Sequence, residues 1–266
     1  MIKLIQRTYI IAFLLYILLP AVLIILLSFS STSYLQFPPK SFSLKWYNTV
    51  FENPKWINAL LYSLKVGAIS SILSTAISLS FVHGIEKANK FFRFFFLSVI
   101  FSSILTPAIV IGISLFFWFS TIQLIESPIS LILSHTLISV PIAVWILYDA
   151  NKKISYNLDK TSLTLGHNHF QSYLKVRLPL LKYSLIISMI LTFIISFDEP
   201  VISLFITSTT NITLPKAMWD GIRYEINPAT LAVSALMIVF TTTLTVITIL
   251  TTYKKNRDET ELNQYR

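Results

Sequence analysis

Long apolar runs separated by short polar links set the layout of this chain. Six stretches have the length of about 20 residues that crosses the hydrocarbon core of a bilayer: 9–29, 58–82, 94–119, 129–148, 184–207 and 230–252. The fourth contains His135 and is interrupted by Pro141. The fifth carries Asp198, Glu199 and Pro200 near its middle, so its hydrogen-bond ladder is predicted to break there. The first, Tyr9 to Leu27, is longer than the roughly 7–15 residues of a signal-peptide core, and no A-x-A-like site follows. It is expected to be retained as a transmembrane helix. The pattern predicts an all-α membrane protein of six transmembrane helices, one domain over 1–266.

The links are read in the same way. SLKWYNTVF is predicted to form a short surface helix, and HGIEKANKFFR a tight basic turn. The segment 208–229, with Pro215, Trp219 and Pro228, suits a short re-entrant or surface element, and the tail KKNRDETELNQYR is expected to fray.

The link 151–181 is longer and more patterned than the others. Asp159 is the expected N-cap of a helix over Lys160 to Leu165, closed by Gly166, a residue suited to a left-handed stop. A second helix from about Asn168 puts Phe170, Tyr173, Leu174 and Arg177 at i, i+3, i+4 and i+7. Pro179 then marks the entry to the fifth span. Two readings are open: a rigid lever for a soluble partner, or an amphipathic segment lying on anionic lipid.

Composition agrees with a membrane solvent: 54% of residues are hydrophobic and 12% charged, against about 25% charged in soluble domains. The net charge of +9 is explained by placement. With the N-terminus inside, 15 of the 21 Lys and Arg fall on the inner side and five on the outer, and Lys65 lies within a span. That bias puts both termini and the 149–183 loop in the cytoplasm, and no nucleic-acid partner is needed.

The chain has no cysteine, which excludes disulfides and thiolate metal sites or catalysis. Its four histidines show no H-E-x-x-H spacing, so no metal site is expected, and they are read as interfacial or loop side chains. Its five glycines form neither G-x-x-x-x-G-K-[ST] nor G-x-G-x-x-G. No nucleotide, cofactor or catalytic residue is expected.

The loop also resembles a known element. Gly166, nine residues, Val176, one residue, then Leu178-Pro179 is similar to the coupling loop by which permeases of ABC importers grip their ATPase subunits. The family pattern begins with E-A-A, and here Lys160, Thr161 and Ser162 stand at those positions, with Asp159 one residue early. The resemblance implies the type I ABC importer permease fold and an ATPase contact through Asp159, Lys160, Thr161, Ser162, Gly166, Phe170, Val176, Leu178 and Pro179. In the family the Glu faces positive groups of the ATPase. Either Asp159 takes over that contact, or the ATPase carries an acid facing Lys160, or coupling is weakened.

The fifth span narrows the likeness. Carboxylates at membrane depth mark ion or substrate pathways by default, and broken helices there line cavities or pack on protein. Asp198 and Glu199 are therefore substrate-path candidates. The alternative is a structural pair with Lys65 or with a half-helix N-terminus.

SFDEPVISLFI, TLP at 213–215, Trp219 and INPATLAVS resemble permeases of the spermidine/putrescine type over nearly the whole chain. That likeness implies polyamine import across a bacterial inner membrane. It also implies ATPase subunits, a second permease in a heterodimer and an extracytoplasmic substrate-binding protein as partners. Opines or another small solute are alternatives, as is an ion-coupled carrier working without an ATPase.

Overall fold

The computed structural model describes residues 2–34, 36–208, 211–224 and 228–264, all helix and connecting loop without a strand among them. The chain divides into two compact units. One is 1–61 with 216–242; the other is 62–215 with 243–266.

In the first unit, α1 (Ile2–Ser28) is apolar on every side beyond its first turns, and the apolar stretch that forms the span is not buried against the protein until Ser28. A helix without a polar face needs lipid or protein around it. α2 (Lys45–Glu52) is the expected surface helix; it buries Trp46 and Val50, one turn apart, and ends at Asn53 before Pro54. Ser28 Oγ and Tyr47 OH, 2.6 Å apart, tie it to the end of α1. α3 (Pro54–Glu86) begins here and runs on into the second unit, whereas α11 (Leu214–Tyr224) occupies the expected 208–229 element. A Cβ on Gly221 would meet Thr230 Oγ1 at 2.9 Å, so α11 and α12 (Pro228–Gln264) approach closely at that glycine. Ile226 and Asn227, the start of the INPATLAVS block, lie outside the described residues. The tail continues α12 to Gln264 instead of leaving the helix.

In the second unit α3 presents one buried face. Ser63, Val66, Ser70, Ser74, Ser78 and Val82 are buried at steps of three or four residues, which is one helical face. These side chains are small enough to let backbones approach, as in other membrane helix pairs. Ser70 Oγ donates to the Ile132 carbonyl (3.1 Å) and Ser78 Oγ to the Val140 carbonyl (3.2 Å), both in α6 (Pro128–Lys152). Each such bond contributes about 0.6 kcal/mol on average. α6 passes through Pro141 unbroken, contrary to the expected interruption. Pro141 costs only the hydrogen bond to the carbonyl four residues back, a loss that neighbouring helices make tolerable at membrane depth.

The third span is a correction. Residues 94–119 are not one helix but two, α4 (Lys90–Leu105) and α5 (Ala108–Thr121), bent by 104°. Pro107 follows Thr106 and pushes it to extended backbone, φ −80°, ψ 126°.

The fifth span breaks as expected. α9 (Lys182–Phe197) stops at Asp198, and a short α10 (Val201–Ile206) follows Pro200. At 1.5 Å per residue, the 16 residues of α9 reach only about 24 Å. They need α10 or the preceding helix to complete a crossing. Ile202 and Ile206 of α10 are buried with Val66, Phe119 and Leu131.

Four helices are long and apolar enough to cross a membrane, and each bent pair taken as one span brings the total to six among the described residues.

Candidate functional site

The 151–181 loop is built by local capping. Ser155, not Asp159, caps α7 (Tyr156–Thr164), its hydroxyl accepting from Asn157 N–H at 3.3 Å. Asp159 lies inside that helix and is free to turn inward.

At the other end Gly166 has φ +92°, the left-handed conformation that glycine reaches without strain. Gly166 N–H donates to the Leu163 carbonyl (3.0 Å) and His167 N–H to the Ser162 carbonyl (3.2 Å), the paired bonds of a Schellman stop. Ser162 is buried, its hydroxyl 3.0 Å from His167 Nδ1. Asn168 then opens α8 (His169–Leu180) with a complete capping box. Its side chain accepts from Gln171 N–H (2.8 Å) while Gln171 Oε1 accepts from Asn168 N–H (3.1 Å).

α8 is not a uniform helix. Tyr173–Arg177 is a π turn, with Leu178 N–H donating to the Tyr173 carbonyl. It ends just before Pro179, which has no N–H to offer. The expected single stripe is therefore divided. Phe170 is 70% exposed and Leu174 is exposed, while Tyr173 is half-buried and Arg177 buried. Leu165 (77% exposed), Lys160 and Thr161 also face outward; Val176 and Leu178 are half-buried, and Pro179 is exposed.

Arg177 is the centre that sequence reasoning missed. Its Nη1 donates to Glu86 Oε2 and, at 3.1 Å, to Asn151 Oδ1; its Nη2 donates to Asp159 Oδ2 at 2.5 Å. Burial alone would lower its pKa, but hydrogen bonds and charge from Glu86 and Asp159 outweigh that and raise it above the ordinary arginine value. The cation is permanent. Asp159, expected to reach an ATPase, is instead held by this cation.

A second polar cluster lies at the break in the fifth span. His135, read from the sequence as an interfacial or loop side chain, is instead fully buried. Its Nδ1 is 2.8 Å from Ser196 Oγ on α9, and its Nε2 is 3.3 Å from Ser203 Oγ on α10. The ring therefore bridges the break.

The two acids diverge. Glu199 Oε1 accepts from Ile202 N–H at 3.0 Å, closing the first turn of α10, and Ser203 Oγ donates to the Glu199 carbonyl at 3.1 Å. Asp198 is exposed and caps the end of α9 with its backbone. No ion pair joins Lys65 to either acid among the described residues.

Residues 76–253 match the family of binding-protein-dependent transport system inner membrane components. The spermidine/putrescine transport system permease protein PotC of Escherichia coli (strain K12) is 24% identical over 248 residues, covering 93% of this chain and 92% of that protein. The trehalose transport system permease protein SugB of Mycobacterium tuberculosis (strain CDC 1551 / Oshkosh) is 24% identical over 207 residues, 76% of each chain. A solved bacterial alginate ABC transporter, in complex with an alginate pentasaccharide-bound periplasmic protein, is similar in fold. Its TM-score is 0.69 at 12% identity, over 96% of this chain and 94% of that one. The resemblance to ABC importer permeases and the all-α permease fold are both borne out.

Proposed function

The chain belongs to the binding-protein-dependent transport system inner membrane components, and from that membership we propose that it forms the translocation path of an ATP-driven polyamine importer. The knob 151–181 seats in a separate ATPase subunit. A second permease completes the path, and an external binding protein delivers substrate. The two compact units are parts of one permease domain, and the basic bias of the links supports a cytoplasmic position for both termini and the knob.

One observation carries the coupling role: a capped helix–glycine–helix turn holds Leu165 and Phe170, two large apolar side chains, exposed on its outer surface. Exposed apolar groups on a rigid, ordered base are what a soluble partner's groove buries. Lys160 is exposed and Asp159 is turned inward, so this reading assigns the ATPase an acidic or neutral group opposite residue 160. For substrate, the extended similarity to PotC favours a linear polycation, and the exposed Asp198 suits one.

The test is co-expression with candidate ATPases and binding proteins, pull-down, and ATP hydrolysis in vesicles. Spermidine-stimulated hydrolysis and uptake are expected only from the complete assembly. Uptake by this chain alone would mark an ion-coupled carrier instead.

A further inference from the structure

Of the six basic residues in 149–183, five are exposed and Arg177 alone is buried. Its partners come from three elements: Glu86 ends α3, Asn151 is in the last turn of α6, and Asp159 belongs to α7. Glu86 is held from behind as well, because Arg93 of α4 donates to its carbonyl at 2.6 Å and to those of Ile85 and Ala88. Beside this knot the Tyr173 ring packs on His83 of α3, centroids 4.3 Å apart. One guanidinium thus joins the knob to two membrane helices, with a third attached through Arg93.

Only an arginine suits this place. Its planar fork serves several acceptors at fixed angles, whereas a lysine is a single point charge on a flexible stem. The π turn aims it inward, while Phe170 and Leu174 keep the outer face. Asp159 completes the site because it stands one residue before the position where the family has its outward-facing acid.

Resting on the coupling role proposed above, we infer that Arg177 is a positioning residue that makes the knob and the adjoining ends of α3 and α6 move as one body. Without it, the uncharged Tyr173–His83 ring contact remains, and the knob hangs from α6 by the turn at 153–155 and from α9 by the bend at Leu181. Movement of an ATPase would then be absorbed in those two joints.

The experiment uses the full assembly in vesicles. The chain has no native cysteine, so spin labels at N157C and K87C, both exposed and outside the proposed ATPase contact, report the knob-to-α3 distance without background. In the otherwise native chain a single narrow distance distribution is expected. Arg177→Met should broaden it and lower substrate transported per ATP hydrolysed by about tenfold, within the range of coupling changes along packed networks, with ATPase still bound. Arg177→Lys should fall between. An unchanged width together with an unchanged transport-to-ATP ratio in Arg177→Met overturns the inference.

If Arg177→Met does not accumulate in the membrane, Glu86→Gln and Asp159→Asn read the same two quantities, each removing one partner. No broadening in either contradicts the inference. Transport by the native chain without an ATPase would sink the proposed function, while the label width would still judge whether Arg177 fastens the knob.

Discussion

Two polar clusters in one compact unit solve the same problem with different chemistry. At the knob, a permanent cation meets two carboxylates and an amide. At the break in the fifth span, an imidazole ring meets two serine hydroxyls. Each joins elements that the backbone leaves loosely connected. The first can use charge because Glu86 and Asp159 keep 33% and 23% of their side-chain surface open to solvent. The second is fully enclosed, where an unpaired charge would be far more costly than an imidazole with both nitrogens satisfied. The environment selects the chemistry, and the need to hold a junction selects the place.

Substitutions at the two clusters should separate them. Arg177→Met strands two carboxylates and should cost about 3 kcal/mol, the low end for a broken buried pair because those carboxylates are partly hydrated. Thermal unfolding of the purified assembly reads this loss, and Arg177→Lys should recover part of it.

At the break, Gly112→Ala should come next. Its Cβ would sit 2.7 Å from Phe205 Cδ2, so either the Phe205 ring shifts or α5 and α10 separate, at about 1–3 kcal/mol for overpacking. His135→Ala removes a partner from both Ser196 and Ser203 and should cost about 1–3 kcal/mol in the same assay. It should also leave the knob-to-α3 label distance unchanged, which Arg177→Met does not.

The smallest structural effect belongs to the acids. Glu199→Gln keeps an oxygen for Ile202 N–H and should leave stability and uptake near wild type. Asp198→Asn, also mild in stability, should weaken uptake of a polycation. Equal uptake by both variants at equal membrane abundance would remove Asp198 from the path.

Much of this architecture was legible in the residues. Apolar runs gave the spans, because bilayer thickness imposes a length that composition records directly. Gly166, Asn168 and Pro200 marked their turns through local backbone preference. Pro107 carries the same kind of signal and bends the third span by 104°, but it stands inside a continuous apolar run whose length by itself predicts one helix.

The two clusters were not legible. Arg177 lies 91 residues from Glu86, and His135 lies 61 and 68 residues from its serines. No period or spacing links side chains that meet only through helix packing. The π turn concealed Arg177 further, since a regular helix would have placed it on the face of Phe170 and Tyr173.

The knob's role as a handle for an ATPase is tested most directly at Phe170. A single cysteine there, in a chain that has none of its own, can be cross-linked in the assembled importer. The expected result is a covalent link to the ATPase subunit that stops uptake. Reaction with lipid-phase reagents only, in membranes where transport continues, would contradict it.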